Sequence, residues 1–171
     1  MKKFITVSMI AFVLLCSING HTQRTPEDLA IITFYCFQEH NLDSFYRLIP
    51  TVNEIRDAGA TAGVDTNSAS FKEFVTQYPS FVDQFKQQCA AIENDSTRLH
   101  FSWTNSNLDS IEISERNIPL DNKDPNSKTV VVTVLDIYFR SNSHLLRLTL
   151  GDANKYNGLW KPGNRIALSK L

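Results

Sequence analysis

One carboxylate is a candidate for chemistry because it lies in the middle of an apolar segment. Asp136 falls within the β-branched and aromatic residues 128–140, on the same side as Val134 and Tyr138 if this segment is a strand. Burial would raise the pKa of such a carboxylate and make it a usable general base. The competing interpretation, which we favour, is that Asp136 points to solvent or pairs with Arg147 on the next strand, since a cross-strand ion pair needs no further partner.

The sequence contains no recognisable metal or nucleophile motif. Its histidines, His21, His40, His100 and His144, are scattered without a second ligand at helical spacing, and no two cysteines lie close in sequence. No serine has a Gly-x-Ser-x-Gly context, and no glycine-rich phosphate loop follows a predicted strand. We therefore expect neither a metal nor a cofactor.

Three large aromatic residues are candidates for ligand binding, namely Trp103, Trp160 and Phe37. An aromatic face can stack against a ligand, but single tryptophans on apolar strand faces and aromatic stripes at helical spacing usually supply packing area. We favour the core interpretation and keep the three residues as candidates for the wall of a pocket.

The segment that carries Asp136 predicts an antiparallel sheet in the C-terminal quarter. Three consecutive strands are expected, over residues 128–140, from Leu145, and over residues 159–168. The first connection is the small polar turn 141–143. The second is 151–158, which ends in Asn-Gly, the strongest dipeptide signal for a hairpin.

Helical patterns precede the strands. Thr25 fits the N-cap of a first helix, and a second, shorter helix is predicted from Ser44. A third pattern is predicted to break at Pro79 and to stop at residues 94–97. The small and polar residues 58–69, which include two glycines, predict a long flexible loop. Helices followed by antiparallel strands indicate an α+β fold.

Composition limits the classes of partner. The chain has 171 residues with 17 Lys+Arg, 18 Asp+Glu and a net charge of −1. Such a balance offers no basic stripe that could displace counterions from a phosphate backbone, so we expect no nucleic-acid partner. Residues 24–171 match the size of one domain.

The N-terminus predicts export. Residues 1–23 combine a short positive start with an apolar run over residues 5–16, which is typical of a secretory signal peptide. The run is too short for a comfortable membrane span, and no later segment approaches the required length. We expect a periplasmic or extracellular protein, cleaved between Ser17 and Gln23. The alternative is a lipid anchor on Cys16, which is less favoured because a large residue, Leu15, precedes that cysteine.

Two cysteines remain in the mature chain, Cys36 and Cys89, and both lie in predicted helices. An oxidising compartment could join them in a disulfide. We favour two buried free thiols, which behave as small hydrophobic residues.

Two stretches of sequence resemble a known superfamily. The opening Thr-Pro-Glu-Asp-Leu-Ala-x-x-Thr-Phe-Tyr, followed by a polar break at Asn41, and the closing Asn-Gly-x-Trp-Lys-x-Gly-x-Arg-Ile-x-Leu of residues 157–168 look like exported bacterial proteins of the nuclear transport factor 2-like superfamily. The resemblance spans residues 25–168. It implies a cystatin-like cone, in which helices pack in the concave face of a curved antiparallel sheet and leave a pocket between the two layers.

The resemblance implies both catalytic and non-catalytic relatives. Isomerase-like members use a carboxylate base with a hydrogen-bond donor aimed at an oxyanion. Here Asp136 would be the base and Tyr35 or Tyr138 the donor, although no position matches the isomerase pattern well enough to transfer a role. Fold alone does not choose among such functions.

Three functional hypotheses follow, in order of preference. The first is a non-catalytic envelope module that binds a small molecule or peptide, the second an isomerase or lyase that uses Asp136. The third is a dimeric interaction module, because superfamily members often pair through the outer sheet face, where Val130, Val132 and Val134 would form an apolar stripe.

Overall fold

The computed structural model describes residues 23–119 and 129–171 of the chain. The helices, α1 to α4, are Pro26–Gln38, Leu42–Tyr46, Val52–Thr61 and Ala69–Leu99. The strands, β1 to β5, are Ser106–Pro119, Thr129–Ser141, His144–Tyr156, Leu159–Lys161 and Arg165–Lys170. The predicted α+β class with an antiparallel sheet is confirmed. The predicted leader, the alternative anchor at Cys16 and the connection between β1 and β2 lie outside the described residues.

All five strands belong to one antiparallel sheet. β2 lies between β1 and β3, and β3 is long enough to pair with β5 along its first half and with β4 along its last residues. The turn between β3 and β4 is the predicted Asn-Gly pair, with φ of 50° at Asn157 and 83° at Gly158. Positive φ at both positions is the geometry of a two-residue hairpin turn that matches the twist of the strands.

The core lies between the helices and the inner face of the sheet, which we define as the face carrying Leu135, Ile137 and Phe139. These three side chains are fully buried. The Trp103 ring stacks on Phe139 with centroids 5.0 Å apart, and the ring of Phe37 from α1 also packs against Trp103, with centroids 5.0 Å apart. The side chains of β2 therefore alternate as predicted, and these three apolar residues face the helices.

Strand β3 shows the same alternation of buried apolar and more exposed polar residues. Leu146, Leu148 and Leu150 of β3 are fully buried, whereas Arg147 and Thr149 between them are half-buried on the opposite side. We call that opposite side the outer face. The period of two thus separates an apolar inner face from a polar outer face, as the sequence predicted.

The predicted break at Pro79 is wrong, because α4 continues through it to Leu99. A proline inside a helix costs about 3 kcal/mol by removing a hydrogen bond and crowding the preceding turn. Pro79 lies on the exposed side, while Phe85 and Cys89 on the other side are buried in the core. Burial of that face outweighs the local penalty. The helix ends at His100, which takes a left-handed φ of 56° as its C-cap, and not at residues 94–97.

The long loop predicted over residues 58–69 is also wrong. A capping box between Thr51 and Glu54 starts α3, and the helix extends to Thr61, so the connection to α4 is short. The alanines among these residues are good helix formers, and one glycine inside the helix, Gly59, is tolerated.

The third predicted strand and the turn before it need correction as well. β3 continues as a strand through residues 151–156, and residues 159–168 are divided into β4 and β5. The register of β2 with β3 shifts near Asp152, which has a φ of +58°. Gly163, in the β4–β5 connection, approaches the backbone of Asp152 so closely that a Cβ there would overlap its carbonyl group.

No helix among residues 23–119 and 129–171 is long and apolar enough to cross a membrane. Cys36 and Cys89 are both buried and are not joined in a disulfide, which agrees with the favoured interpretation of two buried thiols. Burial raises the pKa of Cys89 to about 12.

Candidate functional site

The predicted carboxylate Asp136 lies on the outer face, away from the helices. Its Oδ1 accepts a hydrogen bond from the hydroxyl of Thr149 and lies 3.8 Å from Nε of Arg147. Tyr138 lies on the same face and donates a hydrogen bond to Glu112, which raises the pKa of its phenol. The structure therefore brings Asp136 and Tyr138 together in a polar network on the outer face, and the condition that Asp136 face the interior is not met.

Tyr35 lies on the other side of the sheet. It belongs to α1, is half-buried, and its ring meets Phe34 edge to face with centroids 5.4 Å apart. Phe34 in turn packs against Phe139 of the inner face. Burial, followed by the charge of Glu39, raises the pKa of Tyr35. Because the sheet separates the two groups, Tyr35 and Asp136 do not share a site.

The candidate binding aromatics are parts of the core. Phe37 and Trp103 are almost completely buried and stack in one cluster, and Trp160 packs half-buried at its margin. The backbone N–H of Trp160 donates to Gln23 at 2.7 Å. The indole N–H of Trp103 is buried without an acceptor among the described residues. The space between helices and sheet is therefore filled by rings where the cone was expected to hold a pocket.

The predicted dimer stripe is not an exposed apolar surface. Of its two members whose side chains are described, Val132 is 8% exposed and Val134 is half-buried. Charged and polar side chains, including Arg147 and Asp136, surround these positions on the outer face.

An apolar cavity lies elsewhere, at the end of the molecule where the helices meet β3. We call it the α3–α4 cleft. Its volume is about 200 Å³. Its apolar wall is formed mainly by Phe74, Tyr78 and Phe81 of α4 with Pro50 and Ile55 from the start of α3. Tyr156 at the end of β3 and the β4–β5 connection complete it.

A buried ion pair accompanies the cleft. Nζ of Lys161 lies 2.7 Å from Oε1 of Glu54, and the two side chains are only 11% and 19% exposed. Burial by itself would raise the pKa of Glu54, but hydrogen bonds from Lys161 and Thr51 and the positive charge of Lys161 lower it below its usual value. Glu54 is therefore an ionised, fully engaged carboxylate that ties the start of α3 to β4.

Two tyrosines of the cleft are electrostatically linked to this pair. Burial, followed by the proximity of Tyr156 and Glu54, raises the pKa of Tyr78 to about 12. Burial and the Glu54 charge also raise the pKa of Tyr156. The Tyr78 hydroxyl donates to the carbonyl oxygen of Pro50, whereas the Tyr156 hydroxyl has no hydrogen-bond partner among the described residues.

The directions of these pKa shifts limit the chemistry that the cleft can perform. Phenols with raised pKa values stay protonated, so Tyr78 and Tyr156 act as hydrogen-bond donors and not as bases. Glu54 is paired and has a lowered pKa, which makes it a weak proton acceptor. Residues 23–119 and 129–171 contain no cluster of three side chains that could hold a metal ion. The cleft therefore has a largely apolar lining, with Tyr156 as a phenol that has no hydrogen-bond partner among the described residues.

Reasoning from the sequence did not identify Glu54, Lys161, Tyr78 or Tyr156. A capping-box spacing at Thr51-x-x-Glu54 was available as a signal for the helix start. The pairing with Lys161 had no such signal, because it joins segments that are distant in the chain. Tyr156 fell in a segment predicted to be a turn.

No protein-family model, curated protein or solved structure matches this chain. The resemblance to the nuclear transport factor 2-like superfamily therefore remains a prediction.

Proposed function

We propose that this protein is an exported, non-catalytic binding module whose α3–α4 cleft accepts one apolar side chain of a peptide, or a small molecule of similar size. The observation that carries the proposal is an apolar cleft with one phenolic donor, that of Tyr156, which has no hydrogen-bond partner among residues 23–119 and 129–171. A peptide carbonyl would be the acceptor for this hydroxyl.

The volume of the cleft supports an occupant of this size. Drug-sized ligands occupy pockets of about 300–1,000 Å³, whereas an apolar cavity of about 150 Å³ is enough for benzene. A cleft of about 200 Å³ falls between these limits and suits a single aromatic or branched aliphatic side chain. Buried apolar anchors of this kind dominate the energy of many peptide and protein interfaces.

Two further hypotheses have less support. An isomerase or lyase that uses Asp136 with Tyr35 or Tyr138 would need these groups around one substrate, but Tyr35 and Asp136 are on opposite sides of the sheet. A dimer through Val130, Val132 and Val134 would need an exposed apolar face, and Val132 is buried.

Export remains part of the proposal and rests on residues 1–23 of the sequence. Intact-mass measurement of the protein recovered from its host would show an N-terminus between Ser17 and Gln23. A mass increase equal to a diacylglycerol, with Cys16 at the N-terminus, would instead identify the lipid-anchored form.

Titration with N-acetylphenylalanine amide tests the binding site. We expect saturable chemical-shift changes at backbone amides that line the cleft, including those of Phe81 and Tyr156. Tyr156→Phe removes only the hydroxyl and should weaken binding up to about ten-fold, the usual value of one neutral hydrogen bond. Val82 of α4 also lines the cleft, and Val82→Trp, which fills the cleft, should abolish the shifts.

Tyr46→Phe is the matched control, since Tyr46 donates to the backbone of Lys86 and does not line the cleft. Its affinity for the probe should equal that of the unaltered protein. Equal binding by the Val82→Trp variant, or shifts confined to residues outside the cleft, would refute the proposed site.

A further inference from the structure

A second depression lies beside β5, between residues of the outer face and Gln88 of α4, and its chemistry differs from that of the cleft. We call it the arginine groove. Its volume is about 320 Å³. Val134, Thr149 and Ala167, which come from three neighbouring strands, line its floor, and Arg116 and Arg165 form its walls.

The two arginines share one carboxylate. Nη2 of Arg116 in β1 hydrogen-bonds Oδ1 of Asp152 at 2.5 Å, and Nε of Arg165 in β5 lies 3.3 Å from Oδ2 of the same residue. Asp152 is only 17% exposed, whereas the side chains of Arg116 and Arg165 are 44% and 65% exposed. A largely buried carboxylate therefore anchors two guanidinium groups that stay open to solvent.

The groove carries an excess of one positive charge. Of the residues that line the groove, Arg116 and Arg165 are charged and contribute two positive charges, and the Asp152 carboxylate that holds them contributes one negative charge. Asp136, on the same face as Val134 and Thr149, has its own partner in Arg147. Each guanidinium has five N–H donors, and the contacts with Asp152 use few of them. The contact of the Arg165 guanidinium with Asp152 is an ion pair without hydrogen-bond geometry. The guanidinium makes no hydrogen bond to any other described residue.

The backbone holds this arrangement in place. Asp152 has a left-handed φ of +58°, and Gly163 packs against its carbonyl group. Gly151 faces Arg165 in the register of β3 and β5, and a Cβ on Gly151 would lie 3.1 Å from Cβ of Arg165. The absence of a side chain at Gly151 lets the Arg165 stem lie close to β3. Both arginines are thus oriented before any ligand arrives, which reduces the entropic cost of binding.

We propose that the arginine groove binds a carboxylate attached to a short aliphatic group. A carboxylate matches the planar donor pair of a guanidinium and carries the single negative charge that neutralises the groove. Val134, Ile166 and Ala167 offer apolar contacts to the aliphatic part. A phosphate monoester would bring nearly two negative charges and leave the groove with an excess of negative charge. This proposal does not rest on the function proposed for the α3–α4 cleft, because no residue that lines the groove also lines the cleft, and Asp152 of the cleft acts in the groove only by holding the two arginines.

Titration with butyrate at constant ionic strength tests the proposal, with butyramide as the neutral molecule of the same shape. Butyrate should produce saturable shifts at the amides of Gly151 and Arg165, and butyramide should produce none. Arg165→Gln should weaken butyrate binding by about ten-fold or more, as expected for the loss of a charge-assisted hydrogen bond. Arg140→Gln is the matched control, since Arg140 is equally exposed, pairs with Asp109 and does not line the groove. Its affinity for butyrate should not change.

Asp152→Asn should strengthen butyrate binding, whereas Arg165→Gln should weaken it. Loss of the folded structure could not produce such a gain in affinity. The amide keeps an oxygen acceptor for Arg116 and tolerates the left-handed backbone, but it raises the net charge of the groove to two. Butyrate should therefore bind this variant several-fold more tightly. Equal binding of butyramide and butyrate, or weaker butyrate binding by Asp152→Asn, would refute an anion site. Tighter binding of inorganic phosphate than of butyrate would refute the assignment to a carboxylate.

Discussion

At the scale of single residues, Glu54 has two structural roles. Its carboxylate accepts the backbone N–H of Thr51 in the capping box of α3 and also pairs with Lys161 of β4. Both side chains of the ion pair are largely buried, so removal of one charge leaves the other without compensation. The same pair contributes to the raised pKa values of the cleft tyrosines through the Glu54 charge.

Glu54→Gln should lower the free energy of unfolding by about 3 kcal/mol at neutral pH, because Lys161 stays buried and charged while glutamine preserves the cap. The folded-state pKa of Glu54 lies below its ordinary value of 4.5. Its contribution is therefore complete above that value and is lost as the pH falls through the folded-state pKa. Denaturant unfolding of both proteins should show a difference that shrinks with acidification. Glu73→Gln, on the exposed side of α4, should show no such difference; a gap that persists in acid would contradict the assignment.

Cys89 should be chemically inert in the native protein. It is completely buried and its pKa is raised to about 12, so almost no thiolate is available for reaction. Treatment with iodoacetamide at mildly alkaline pH, followed by peptide mapping, should leave Cys89 unmodified until a denaturant is added. Rapid modification of the native protein would mean that the thiol is accessible. A mass lower by two hydrogens before reduction would instead indicate a disulfide with Cys36.

At the scale of elements, the register shift of β3 near Asp152 and the β4–β5 connection organise both candidate sites. Asp152 lines the α3–α4 cleft and also anchors the two arginines of the groove. Gly163 permits the close approach of the connection to Asp152. This contact fixes the position of β5 relative to the end of β3, and hence the position of Arg165.

Two glycine substitutions should have opposite effects on stability. At Gly163 a Cβ would overlap the Asp152 carbonyl, so Gly163→Ala should lower the free energy of unfolding by about 2 kcal/mol or more. At Gly59, inside α3, a Cβ would meet only ordinary contacts of 3.6 Å or longer, so Gly59→Ala should raise it by about 0.5–1 kcal/mol. Urea unfolding monitored by circular dichroism measures both. A neutral Gly163→Ala would show that the connection can shift away from β3.

At the scale of the whole molecule, the described residues share one core. Side chains from α1, α2, α4 and the sheet belong to a single cluster of buried residues, with Trp103 near its centre and Trp160 at its margin. Such a core leaves no subset of these elements that can unfold without exposing apolar surface of the others.

Unfolding should therefore be a single cooperative transition. Tryptophan fluorescence reports the core around Trp103, and far-ultraviolet circular dichroism reports the helices, so the two denaturation curves should coincide. An early loss of helical signal with unchanged fluorescence would instead identify α3 and the exposed part of α4 as a separate unit. Phe37→Ala, a substitution in the same core, should shift both curves together and cost about 3–5 kcal/mol.

Much of the fold could be predicted because its signals are local. The cap at Thr25, the alternation of Leu146, Leu148 and Leu150, and the Asn157-Gly158 turn each depend on a few neighbouring residues, and each is found as predicted. The errors arose where tertiary contacts outweigh a local preference. α4 continues through Pro79 because its buried face is held by the core, and β3 extends past residue 151 because β4 pairs with its last residues.

Periodicity and turn chemistry are sufficient to predict the α+β class, the antiparallel sheet and the side of β2 that Asp136 shares with Val134 and Tyr138. The packing of helices on the sheet makes this side the outer face, because alternation along a strand defines two faces but not which of them the helices cover. The same reason explains both candidate sites. Glu54 with Lys161, and Arg116 with Asp152 and Arg165, are distant in the chain, and only the packing of strands and helices brings their charges together.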